Sequence, residues 1–138
     1  MRRSALLALA SLLASVGPLS AATGCLPPDA GAEMKSATPL PVAAALRIRP
    51  SPVRVGAPFV VELRVCSLDG KPIERIAIDA TMPAHRHGMN YKPEIVDLGE
   101  GRHEAKGFLF HMPGRWEITL SVYGGEQPSH LTHGLDVR

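Results

Sequence analysis

Beyond its first residues, the chain has no excess of charge of either sign. Two of its 15 Lys and Arg, Arg2 and Arg3, precede Cys25, so 13 remain against 13 Asp and Glu. A balanced surface gives no electrostatic basis for binding nucleic acid or an anionic membrane face. Long apolar runs are also missing. The longest, Ala5 to Val16, is broken by Gly17-Pro18 and falls short of the roughly 20 residues a spanning helix needs. The chain lacks the groupings of catalysis: no nucleophile beside a base, no glycine-rich phosphate loop and no isolated carboxylate pair. Asp79 and Glu94 flank the central loop but read as solvated charges on alternating strands. A non-catalytic protein is expected. Cysteine is scarce too, with only Cys25 and Cys66.

What the chain does have in quantity is proline and glycine, 13 of each in 138 residues. That many turn formers favour an all-β architecture over a helical one. The start has the pattern of a secretory leader: Met1-Arg2-Arg3, the apolar stretch, then the small residues Ser20 to Gly24. Residues 1–24 are therefore expected as a signal peptide, and the protein as exported to a bacterial periplasm or cell envelope. Small residues before Cys25 resemble a lipobox, although Ala22 stands where leucine is usual. Cys25 is accordingly a candidate for lipidation, which would anchor the chain to a membrane; simple cleavage after Ala22 is the alternative. Cys66 is expected as a small, partly buried side chain. A disulfide with Cys25 is the other possibility in an oxidising compartment, and lipidation would exclude it.

Residues 25–42, rich in Pro, Ala, Gly and Ser without a sustained period, are expected as a flexible linker. Residues 43–138 form the domain. Ala43 to Arg49 alternates weakly and predicts an edge strand ended by Pro50 and Pro52. Phe59, Val61, Leu63 and Val65 alternate with polar or smaller neighbours, as do Ile76, Ile78, Ala80 and Met82, and Trp116, Ile118, Leu120 and Val122. Met82 is expected in the core. On Arg102 to Met112, strict alternation puts His103, Ala105, Leu109 and His111 on one face and Phe108, Phe110 and Met112 on the other. About seven short strands with turns between them predict a two-sheet antiparallel sandwich of the immunoglobulin-like kind.

The chemistry concentrates between Thr81 and Trp116. Two Met-Pro turns, Met82-Pro83 and Met112-Pro113, bracket it, and around them stand His85, His87, Met89 and His111. Imidazole and thioether together make a ligand set suited to copper, the sulfur favouring Cu(I). If the loop is locally extended, His85, His87 and Met89 point to one side. The expected metal site is His85, His87 and Met89 with His111 and Met112, and zinc is the runner-up metal. His111 and Met112 are adjacent, so a regular strand would point them apart. His103, His130 and His133 are expected to be solvent-facing or structural. Trp116 is expected to plug one end of the core, or else to lie at an exposed edge beside the metal.

The run Asp79-Ala80-Thr81-Met82-Pro83-Ala84-His85-Arg86-His87-Gly88-Met89, with Phe108-Leu109-Phe110-His111-Met112-Pro113-Gly114-Arg115-Trp116, resembles a YtkA-like domain of the FixH-related group. The resemblance covers residues from about Pro50 to the C-terminus. It implies a small exported or membrane-anchored immunoglobulin-like sandwich, and an association with cation handling and copper-oxidase assembly. A second, partial likeness is to cupredoxin-like periplasmic copper chaperones, from which the adjacency of His111 and Met112 departs. Two functions follow as expectations. One is an exported sandwich that binds copper for carriage or delivery. The other is a membrane-tethered module that contacts a protein partner in the cell envelope without metal.

Overall fold

The computed structural model describes residues 25–138; the expected leader lies outside the described residues. Seven long strands carry the fold: β2 (Val42–Arg49), β3 (Pro58–Ser67), β4 (Arg75–Met82), β6 (Glu94–Gly99), β7 (Arg102–Leu109), β8 (Gly114–Tyr123) and β9 (Ser129–Val137). Two short ones, β1 (Ala32–Glu33) and β5 (His87–Gly88), complete it. The order is β1-β2-β3-β7-β6 in one sheet and β5-β4-β8-β9 in the other, with every pairing antiparallel. This is the two-sheet antiparallel sandwich that the alternation predicts.

The core lies where the best-patterned strands meet. Phe59, Val61, Leu63 and Val65 of β3 are buried, and so are Trp116, Ile118, Leu120 and Val122 of β8. Ile78, Ala80 and Met82 of β4 join them, Met82 as expected. Each strand puts every second side chain into the space between the sheets, so a period of two becomes one apolar layer.

β7 departs from strict alternation, and the departure shapes the site. Its register against β3 shifts between Phe59↔Phe108 and Val61↔Ala105, leaving Lys106 and Gly107 opposite Val60 alone. Gly107 has φ 88°, open to glycine at no steric cost. The extra residue of this bulge reverses the alternation. Ala105 is buried on one side of it, and Phe108 and Phe110 are buried on the other. The expected placing of Ala105 on the face opposite Phe108 and Phe110 is thus corrected: all three reach the core.

The expected flexible linker is corrected as well. Residues 25–41 form a strap tied to both sheets. Cys25 is disulfide-bonded to Cys66, with Cα atoms 5.8 Å apart. β1 pairs with β2, the Met34 side chain is buried in the core, and its N–H donates to the Ala44 carbonyl at 2.8 Å. Lys35 and Thr132 of β9 then exchange both backbone hydrogen bonds, at 2.9 and 2.7 Å. Gly31 passes so close to β2 that a Cβ there would collide with the Leu46 carbonyl. The strap also explains why Ala45 is buried beside Ala44 and Leu46: Ala44 and Leu46 face the core, while Ala45 lies beneath the strap. β2 is therefore an inner strand, not the edge strand expected.

The disulfide corrects the reading of Cys66 as unpaired. Lipidation of Cys25 and this pairing exclude one another, since one sulfur cannot hold both bonds.

Candidate functional site

The site is built on the turn after β4. The Met82 carbonyl accepts hydrogen bonds from the N–H groups of His85 (3.1 Å) and Arg86 (3.0 Å). Pro83 supplies the fixed φ that such a turn favours in its second position. Arg86 then adopts the left-handed conformation, φ 53°, and the chain reverses. β5 runs back along β4, with His87 opposite Met82 and Gly88 opposite Thr81. The condition for His85, His87 and Met89 to share one side, a locally extended loop, is not met. A tight hairpin holds His85 at its turn and His87 on its returning strand.

The second part is the corner between β7 and β8. Because the bulge at Gly107 turns Phe110 into the core, the next residue, His111, is exposed. Phe110 stacks on Trp116 with ring centroids 4.2 Å apart and planes 10° from parallel. It also meets the Phe59 ring edge-on, at 4.9 Å. The Trp116 indole Nε1–H donates to the Met112 carbonyl at 3.0 Å. This bond satisfies the buried indole and pins the corner that carries His111.

Three imidazoles meet above this aromatic column. The His87 ring centroid lies 5.8 Å from that of His85 and 5.3 Å from that of His111. The Trp116 ring is 6.0 Å from His87 and 5.6 Å from His111, edge-on to both. Trp116 is fully buried, so it is the floor of the cluster and one end of the core together, not an exposed edge. The His87 Nδ1 is 3.5 Å from the Gly88 carbonyl, at the outer limit for a hydrogen bond.

Of the five expected ligands, His85, His87 and His111 are brought together. Met89 and Met112 are half-buried and packed against the core. Among the described residues, no group of three or more His, Cys, Asp and Glu side chains stands where it could hold a metal ion. His85 and His111 are both exposed and free to turn, while His87 is half-buried.

The other histidines lie elsewhere. His130 pairs its Nδ1 with the Ser121 hydroxyl at 2.9 Å. Burial, with Arg115 and Lys35 nearby, pushes the His133 imidazole below its ordinary pKa. His103, on β7 opposite Leu63, has a side chain only 12 % exposed and a buried Nδ1 without a hydrogen-bond partner. Its burial lowers the pKa, and the Asp97 carboxylate at 3.8 Å offsets this only in part. The unfolded chain therefore takes up a proton first as pH falls. The stability of the fold should be full above the free imidazole value of 6.5 and fall as pH drops through it toward the lower folded value. Urea midpoints should thus be lower at about pH 5.5 than at about pH 7.5, and His103→Gln should reduce the difference. Equal midpoints in the unaltered protein would contradict this.

Comparison with known proteins gives no match: no family model fits the chain, and no curated protein or solved structure matches it.

Proposed function

We propose that this chain is an exported, non-catalytic β-sandwich that binds copper where the β4–β5 turn meets the β7–β8 corner, and carries or delivers it. The convergence of His85, His87 and His111 carries this reading. An imidazole nitrogen sits about 2 Å from a bound metal, which places the ring centroid about 3 Å away. Two rings on one ion are then roughly 5–6 Å apart, the range of the His87–His85 and His87–His111 separations, 5.8 and 5.3 Å; the His85 and His111 rings are not themselves in contact, so His87 links the other two. His111 comes from a part of the chain remote in sequence from the other two, so local sequence spacing does not account for the meeting.

Imidazole suits copper and zinc alike, and divalent copper binds such sites more tightly than zinc. The likeness of the two Met-Pro segments to YtkA-like, FixH-related domains favours copper handling and the cell envelope. Pairing of Cys25 with Cys66 suits an oxidising compartment. The test is replacement of both His85 and His87 by Ala. Stoichiometric copper binding, measured against a competing chelator, should disappear. Unchanged affinity would refute the proposal.

A further inference from the structure

Resting on that reading, we infer that the ion is held by nitrogen alone, through His85, His87 and His111. Met89 and Met112 stay outside its coordination sphere, so the form of copper taken is Cu(II) rather than Cu(I).

The argument begins with what holds each candidate donor. Met89 leads out of β5, its N–H donating to the Ala80 carbonyl at 3.3 Å, and its side chain packs on the core. Met112 is packed there too, and its carbonyl is tied to the Trp116 indole. Turning either thioether outward would uncover apolar surface that is now buried, a cost the imidazoles do not face. His87 is the central member, with one neighbouring ring on either side. With Nδ1 on the side of the Gly88 carbonyl, 3.5 Å away, Nε2 is the nitrogen left to serve as the ligand atom. His85 and His111, both exposed, are the members that turn to complete the set.

Donor chemistry gives the oxidation state. Thioethers select Cu(I), whereas an imidazole set lacking sulfur suits the divalent ion. Coordination by three rings leaves further positions for water or for a ligand from a receiving protein. The floor supplies the readout. Trp116 is the only tryptophan, and its ring lies 5.6 Å from His111 and 6.0 Å from His87. A paramagnetic Cu(II) ion on those imidazoles should quench its fluorescence.

The experiment compares three forms of the purified protein, each titrated with Cu(II) in air and with Cu(I) under reducing conditions against chelators. In the unaltered protein, Cu(II) should quench Trp116 emission to an endpoint at one equivalent and give an electron paramagnetic resonance spectrum with nitrogen hyperfine structure. Met89→Leu/Met112→Leu, a near-isosteric pair of changes, should keep the Cu(II) affinity within about twofold. His111→Ala should lose the quenching. Because His111 is exposed, that variant should keep the near-ultraviolet circular dichroism of Trp116, which checks that it is folded. If Cu(I) binds the more tightly and the methionine double variant loses it, the nitrogen-only site is overturned while the copper reading stands. Retention of quenching in His111→Ala overturns it too. If neither form of copper binds, both readings fall.

Discussion

Trp116→Ala should destabilise the domain by about 3–5 kcal/mol, the range for removing a large buried aromatic side chain. Trp116 is among the largest fully buried side chains, it stacks on Phe110, and its indole N–H holds the β7–β8 corner through the Met112 carbonyl. Its loss leaves a cavity between the sheets and a carbonyl without its partner. For a domain whose total stability is of the order of 5–15 kcal/mol, that is a large share of the whole. Urea denaturation followed by far-ultraviolet circular dichroism measures it. Trp116→Phe, which keeps a ring over Phe110 but removes the N–H, should cost clearly less. A loss below about 1 kcal/mol for the alanine variant would mean that the column of rings is not a support of the fold.

The second large effect is that of reduction. Cys25 and Cys66 are 41 residues apart, and closing a loop of that length in the unfolded chain is worth about 4 kcal/mol by the chain-entropy account. Reduction, or Cys66→Ser, should lower the urea midpoint accordingly and release the strap that covers Ala45. Proteolysis should then cut first within residues 26–41, whose remaining ties include β1, Met34 and the Lys35–Thr132 pair. Equal midpoints with and without reductant would contradict the disulfide as a fastener of the strap.

The sequence made some of this legible and concealed the rest for physical reasons. β3 and β8 stand out because both bury one full face, so alternation shows without interruption. In β7 the same pattern misleads, because the bulge at Gly107 inserts one residue and reverses the faces after it. A lone glycine after Lys106 was the available signal. The strap was hidden by its composition. Its anchors are a single buried Met34, a two-residue strand, the Lys35–Thr132 pair and a disulfide, none of which makes a period. At the site, the residue types His85, His87 and His111 could be named from the sequence. Their meeting could not, because it depends on the left-handed Arg86, on the bulge and on the indole bond at the corner. None of those makes a period in the sequence, and the bulge is settled by the pairing of β7 with β3 rather than by β7 itself.

The measurement that tests the central claim most directly is a Cu(II) titration of the unaltered protein against a competing chelator, followed by the emission of Trp116. Binding at the histidine cluster predicts quenching that saturates at one equivalent, with an affinity well above that of scattered surface histidines. Emission that stays constant, or that falls only in proportion to excess copper, would contradict a metal site above Trp116.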